Sequence, residues 1–464
     1  MDAVRAGEAS FRAFKGTRHW ASLVRMADEK EKKLEKALPT VSRRFPNGAL
    51  LELIYRPDAG RTAFAVFRGG QVSMESSLET DAGERLVPVS GSNNLIKHKA
   101  LLLPEKPEPY GSCDELLAAI NEYLYRYVDL SERFQRIASY YILLTWVYDA
   151  FNELPYLRLR GDFGSGKTRA LVVIGSLCYK AFFASGASTV SPIFHTLDTF
   201  RGTLIFDEAD FRFSDEKSEL IKIFNNGNAK GFPVLRTAVT VKREFNPSAF
   251  NVFGPKIVAM RRSFEDQALE SRFLTEEMGQ RSLRDDIPIN LPNAQEEEGR
   301  SLRNRLLMYR FQTLDKIRID ETLVDPTLSP RLNQILIPLL SIIDDSELRE
   351  ELRGSMKSFD QELYAERSAS ADAGVLDILA EMLSEPSRAN IPVSEVTAAF
   401  VGRFGQEYER PITNRFIGGI LRRRLRLLTY KSHGVYVLPA TEKSKVDQLC
   451  IRYGVVERST DTVE

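Results

Sequence analysis

Residues 161–168 read GDFGSGKT, a match to G-x-x-x-x-G-K-[ST] with Gly161, Gly166, Lys167 and Thr168 at its defining positions. No other feature of the chain limits its fold so strongly. The glycines let backbone N–H groups turn inward onto phosphate oxygens. A helix that starts at the loop aims its positive N-terminal end at the same anion. Such a loop needs a strand before it and an apolar helix after it, and YLRLR at 156–160 and KTRALVVIGSLCYKA from Lys167 supply them. An α/β layer is therefore predicted, with ATP and Mg²⁺ as its expected ligands. Contacts to the nucleotide are expected from Gly161, Asp162, Phe163, Gly164, Ser165, Gly166, Lys167 and Thr168. Lys167 would bridge the β- and γ-phosphates, and Thr168 would offer its hydroxyl to the metal.

A second motif lies about 40 residues downstream. The apolar run Thr203–Phe206 ends at Asp207 and Glu208. Two acids at a strand end are common, but after a phosphate-binding loop with a helix–strand unit between, the pair has a specific reading. Asp207 would hold the Mg²⁺ shell, and Glu208 would orient and activate the attacking water. An ATP hydrolase is predicted.

Composition excludes several other classes. The chain has 464 residues, enough for roughly three domains. Its 64 Lys+Arg balance 64 Asp+Glu, so affinity for nucleic acid must come from a local patch. Three distant cysteines, Cys113, Cys178 and Cys450, argue against a disulfide scaffold and a CxxC zinc site. Four scattered histidines argue against a His-based metal centre. The N-terminus lacks the apolar core of a signal peptide. The longest apolar stretch, Ile137 to Tyr148, is too short to span a bilayer. A soluble, cytoplasmic protein with no membrane partner is expected.

Texture along the chain suggests six segments. Residues 1–105 read as a charged leading helix to about 45 and then a small β-rich module, with runs such as ALLELIYRP and TAFAVF between turn signals. After the Pro-containing linker 101–112, residues 113–153 carry apolar residues at three- and four-residue steps and read as a helical collar. Residues 154–299 are the α/β core, 300–370 a helical lid, 374–440 a final compact unit and 441–464 a tail. Within the core, 232–254 reads as two strands and a turn, with Lys242 and Arg243 near the tip.

The unit at 374–440 has the order helix, helix, helix, hairpin, the winged-helix version of helix-turn-helix. Its third helix, TNRFIGGILRRRL, would be the recognition helix. Between Arg410 and Pro439 stand Arg410, Arg415, Arg422, Arg423, Arg424, Arg426 and Lys431, with no acid among them. Binding to duplex DNA is expected there. The alternative is a unit that packs on protein, with its arginines in solvent. Gly418–Gly419 inside the helix costs about 1 kcal/mol per Gly relative to Ala, so close packing is expected at that point.

Several of these features together resemble a known family. LESRFLTEEM at 269–278 resembles the Ser-Arg-Phe arginine-finger motif of minichromosome-maintenance-type AAA+ helicases, which implies that Arg272 reaches the γ-phosphate held by a neighbouring subunit. SPRLNQILIPLLSII at 329–343 resembles the lid helix of that family, implying that Arg331 is a second sensor. Helicases of this branch and of superfamily 3 carry a pore-lining hairpin after the acidic strand; the resemblance implies that Lys242 and Arg243 touch single-stranded DNA, although an ordinary surface hairpin would read the same way. One position departs from the pattern. The first sensor is usually a polar residue at the end of strand PKIVAM, and here Met260 stands there, followed by Arg261 and Arg262. Either Arg261 substitutes or the strand is registered differently; Asn251 comes too early.

The whole arrangement resembles ATPases of bacterial plasmids, phages and genomic islands related to these helicases. It implies an α/β P-loop AAA+ core with a helical lid, a small β-rich N-terminal domain and a C-terminal winged helix. The implied activity is an ATP-driven DNA helicase or translocase, working as a hexameric ring in replication or mobilisation of a mobile element. Two alternatives stand beside it: a DNA-bound switch or loader that does not unwind, and a protein-remodelling ATPase with the N-terminal module as adaptor.

Overall fold

In a computed structural model of the chain, the apolar runs of the middle third pair into one five-stranded sheet. The structure describes residues 37–208, 215–237, 246–264, 266–280, 282–368, 370–385, 388–408 and 411–455. The expected leading helix up to residue 36, the hairpin tip with Lys242 and Arg243, Arg410 and the end of the tail lie outside the described residues. The chain divides into two units, one up to 324 with 330–349, the other 325–329 with 350–464.

The sheet of the first unit is built from β8 (Tyr156–Arg160), β9 (Phe182–Ser185), β10 (Leu204–Asp207), β13 (Lys256–Met260) and β14 (Phe273–Glu277). Their order is β14-β8-β13-β10-β9, and each pairing is parallel. Parallel neighbours need crossovers, which the helices between them provide. The strands are short and apolar because a parallel sheet is covered on both faces. Strand β13 sits between β8 and β10, so the carboxyl ends of these three strands open on one crevice, the usual ligand position in such sheets. Collar helices α1 (Cys113–Tyr127) and α2 (Glu132–Val147) begin at Ser112 and Ser131. Each serine side chain accepts the N–H of the third residue into the helix. Glu276 of β14 accepts from both the N–H and the hydroxyl of Ser131, which ties α2 to the sheet edge.

The N-terminal strands form two small sheets: β2-β3-β4-β5, comprising Ser42–Arg44, Leu50–Arg56, Arg61–Arg68 and Gln71–Glu75, and β1-β7-β6, comprising Ala37–Thr40, Arg85–Pro88 and Leu78–Glu79. The helical reading of about 1–45 fails at its end, because Ala37–Thr40 is a strand running parallel to Arg85–Pro88. Pro39 lacks the N–H an interior helical residue needs. Leu51, Leu53, Phe64 and Val66 from these sheets share one buried cluster with Tyr156, Phe182 and Phe206 of the central sheet. The linker contributes as well. Phe183 N–H donates to Ala100 and Leu102 N–H to Ala181, so residues 100–102 cover the open edge of β9.

Four ionic groups fasten this packing. Glu52 on β3 is buried and accepts from Tyr179 Oη (2.7 Å), Lys180 Nζ (2.9 Å) and Arg310 Nε (2.7 Å). Arg310, on helix Asn293–Thr313, also forks onto both oxygens of Asp149 at 2.7 and 2.8 Å. Burial pushes the Lys180 ammonium down to about 8, against the pull of Glu52. Removing one partner from such a cluster strands the remaining charges, at a cost of about 3–5 kcal/mol. Glu52→Gln should therefore lower the melting temperature by roughly 5–10 °C, measured by calorimetry. A shift below about 1 °C would show that the cluster does not hold the N-terminal sheets in place.

The second unit holds helices Ala371–Ser384, Val393–Phe404, Asn414–Gly419 and Lys443–Tyr453 around an antiparallel sheet, Asn390–Pro392, Val435–Pro439 and Tyr430–Ser432. The core is Val375, Leu379, Val396, Phe400, Ile417, Leu421 and Leu438 with their neighbours. The expected single helix TNRFIGGILRRRL is not one regular helix. After Gly419 it widens into a π-turn over Ile420–Arg424, with Leu425 N–H reaching Ile420. A Cβ at Gly418 would lie 3.1 Å from the Arg422 guanidinium, so this glycine does lie under a close neighbour.

Candidate nucleotide-binding site

The loop 161–166 leaves β8 between two neighbouring strands. Gly161 N–H donates to Met260 at the end of β13, and Met278 N–H donates to Arg160. Gly161 has φ of +159°, and a Cβ there would sit 2.5 Å from the Met278 carbonyl oxygen. Only glycine allows that approach. Gly166, at φ +88°, starts helix Lys167–Gly175. Lys167 Nζ donates to the carbonyls of Gly161 (2.7 Å) and Asp162 (2.6 Å), so the ammonium lies inside the loop it would share with phosphates.

Two of the expected metal ligands meet. Thr168 Oγ1 donates to Asp207 Oδ2 at 2.7 Å, joining the carboxyl ends of β8 and β10. The other Asp207 oxygen accepts Glu208 N–H at 2.9 Å. A hydroxyl and a carboxylate are hard oxygen donors, which suits Mg²⁺, an ion that keeps several waters and takes few protein ligands. Glu208 adopts φ +59°, a left-handed conformation costly for a residue with a Cβ. A Cβ at the adjacent Gly186 would come within 3.0 Å of the Glu208 carbonyl. A cavity of about 750 Å³ is lined by residues 163–169, Gly186, Asp207, Glu208 and 259–261. Arg261 is part of that wall, while Met260 is buried and offers no polar group.

A second cavity of about 960 Å³ lies against the other side of the loop, bounded by residues 128–133, 162–166, 275–280, Leu283 and Ile289. Phe163 and Ile289 are 89% and 91% exposed at its border. Arg169, one residue past Thr168, donates to the carbonyls of Pro288 and Ile289, tying this wall to the loop helix.

Arg272 and Arg331 are not in the wall of the 750 Å³ cavity. They lie together, both donating to the carbonyl of Ala268. Arg272 also donates to Asn225 Oδ1, and its Nε is buried without a hydrogen-bond partner among the described residues. Burial and the nearby Arg331 charge both hold the Arg272 guanidinium below its ordinary value. Arg331, the expected second sensor, therefore lies outside that wall. Its guanidinium is held on Ala268, next to Arg272.

Sequence reasoning also missed Lys256. It is fully buried at the start of β13, and its Nζ donates to the carbonyls of Gly227, Val252 and Gly254 at 3.0–3.1 Å. These hydrogen bonds fasten the loop 252–254 and the end of helix Asp215–Asn226 to the sheet. Nothing but a lone Lys before an apolar run marked it.

In the second unit Arg415, Arg422, Arg423, Arg426 and Lys431 are exposed. Arg424 is exposed too and pairs with buried Asp372 at 3.0 Å. Arg422 lies over the Tyr436 ring, 5.0 Å from its centroid.

Among the described residues no helix is long and apolar enough to cross a membrane. None of their His, Cys, Asp and Glu residues form a metal-holding group of three or more. No family model matches this chain, and no curated protein does. Among solved structures it is similar to the C-terminal region of NrS-1 in an apo form, at 11% identity over 84% of this chain and 96% of that one, with a TM-score of 0.34. It is also similar to JCV helicase, at 15% identity over 54% and 62% of the two chains with a TM-score of 0.22. Cdc6p from Pyrobaculum aerophilum matches at 10% identity over 71% and 96%, with a TM-score of 0.21. Likenesses this distant transfer no role to any residue.

The steric argument at Gly161 has a direct consequence. Gly161→Ala should push the Met278 main chain away and weaken binding of a fluorescent ATP analogue at least tenfold. Unchanged affinity would mean that the loop does not cradle phosphates.

Proposed function

We propose that this chain is an AAA+-type ATPase that acts on DNA, and that it works as a ring-forming helicase or translocase. The observation that carries the ATPase reading is the meeting of Thr168 and Asp207, with Glu208 beside them, at the mouth of the glycine loop. In this reading Lys167 exchanges its loop carbonyls for the β- and γ-phosphates. Thr168 and Asp207 hold Mg²⁺, which supplies charge neutralisation on the phosphates. Glu208 orients the attacking water and receives its proton. The adenine lies in the cavity bounded by Val128, Leu283 and Ile289. Arg261 takes the place of the polar first sensor.

Arg272 and Arg331 then act as one cationic pair toward the γ-phosphate of a neighbouring copy. An Arg fork suits that task because it spreads charge over the transferring oxygens. The pair is already short of acceptors, since two guanidiniums share one carbonyl. An oligomer, with six copies as the expected number, is the form that hydrolyses ATP. Lys242 and Arg243 would grip single-stranded DNA in the pore. The second unit would bind duplex DNA as a winged helix, with Arg415, Arg422, Arg423, Arg426 and Lys431 on phosphates. A DNA-bound switch or loader would use the same nucleotide site without unwinding. The adaptor reading is disfavoured, because the N-terminal sheets share the core of the ATPase sheet.

Hydrolysis of Mg·ATP with and without single-stranded DNA tests the proposal. DNA should stimulate turnover several-fold, and Lys167→Ala should abolish it. Arg272→Ala should lower kcat by about 10³-fold with little change in KM, because the group acts only on the transition state. Hydrolysis indifferent to DNA would favour protein remodelling; stimulation without strand separation would favour the switch.

Duplex binding gives a separate measurement. Each neutralised phosphate contributes about −0.9 to the slope of log K against log salt. Arg422→Ala/Arg423→Ala should make that slope shallower by about 2, whereas Arg424→Ala should leave it nearly unchanged. Equal effects from all three arginines would contradict the assignment of Arg424 to Asp372.

A further inference from the structure

Arg272 is the last residue of a short segment that begins at Arg261, where β13 ends. That segment carries little regular structure: one helical turn, Gln267–Glu270, and then Arg272 at the entrance to β14. Its position depends on a buried ion pair. Arg158, in the middle of β8, has a buried side chain whose Nη1 donates to Glu270 Oε1 at 2.5 Å. Arg158 Nε donates to Thr275 Oγ1 of β14 at 3.0 Å, and the guanidinium lies over the Phe273 ring. The same Glu270 oxygen accepts the N–H of Phe264. Glu270 therefore gathers both ends of the segment onto one strand. The main chain repeats the link, since Tyr156 N–H donates to the Arg272 carbonyl at 2.8 Å.

That strand is the one that delivers the glycine loop. Arg158 is three residues before Gly161 in sequence. A buried charged pair at a parallel sheet is expensive, and methionines of similar volume would often be at least as stable. Its directional value is different: a forked guanidinium and a carboxylate fix two partners at set angles, which apolar contact does not.

We propose that Arg158 and Glu270 are positioning residues that hold Arg272 at a fixed distance from the glycine loop of its own chain. The inference rests on the reading that Arg272 acts on a neighbour's nucleotide. It adds which residues of the same chain hold that arginine in place.

The test uses the full-length protein and ATP turnover in mixtures of variants. Lys167→Ala copies keep a sound Arg272 but cannot turn over ATP; Arg272→Ala copies are the reverse. Mixed together they should be more active than either alone. Absence of that complementation would remove the neighbour reading, and this inference with it. If complementation holds, Glu270→Gln should behave like Arg272→Ala: kcat reduced at least tenfold, KM for ATP within about twofold, and activity recovered on mixing with Lys167→Ala copies. A loss that Lys167→Ala copies do not recover would overturn the inference and leave the neighbour reading standing. Arg158→Met/Glu270→Met controls for misfolding. It should keep the wild-type melting temperature and still lose kcat. Full kcat in that double variant would overturn the proposal. Unfolding of both variants would overturn it too, because the pair would then serve stability alone.

Discussion

A parallel ladder runs along both edges of β8, to β13 from Leu157 to Arg160 and to β14 from Tyr156 to Arg160. A strand paired on both sides cannot shift or fray, so the loop at its end starts from a fixed point. The Gly161 N–H and the Arg160 carbonyl continue the two ladders one step beyond the strand. The glycine loop is thus held by main-chain hydrogen bonds before any ligand arrives. Lys167, Thr168 and Asp207 take their positions from the same frame, Asp207 through β10 on the far side of β13. A site built this way has little ordering left to do when a ligand enters, the preorganisation that electrostatic catalysis depends on.

The N-terminal hundred residues extend this frame. Their sheets cover one end of the central core, and residues 100–102 close the edge of β9. Glu52 draws together Tyr179, Lys180 and Arg310 from distant parts of the chain. Such a cluster contributes less to net stability than apolar packing would, because desolvation offsets most of the attraction. Its consequence is specificity. Mispacked arrangements would leave a buried carboxylate facing no cation, so only one docking of the N-terminal sheets is tolerated.

Charge in the second unit is arranged differently. Arg422, Arg423 and Arg424 lie within a π-turn, a local irregularity that is frequent at functional sites. Arg424 is turned to Asp372 while its neighbours Arg422 and Arg423 remain exposed. The row RRR is therefore not three equal contacts. One member pairs with a buried acid and another lies over the Tyr436 ring.

The motifs were legible because their chemistry is contiguous. GDFGSGKT carries its own backbone geometry in its glycines, and TLIFDE its own strand and acids, so the α/β class and the grouping of these motifs at one cavity followed from local pattern. The short strands of the N-terminal module were legible as β by their turn signals. Their union with the core was not, because Glu52 and Arg310 are 258 residues apart and neither looks unusual where it stands. Lys256, Arg158 and Glu270 were invisible for the same reason: a buried charge is recognised only by its partners. The sequence by itself determined which chemistry this chain can hold, since that lies in runs of adjacent residues. Tertiary structure alone decided that Arg331 stands beside Arg272, that Arg424 faces Asp372 and that the N-terminal sheets share the core of the central parallel sheet. Those outcomes depend on which distant groups share a low-dielectric interior, and no local pattern encodes that.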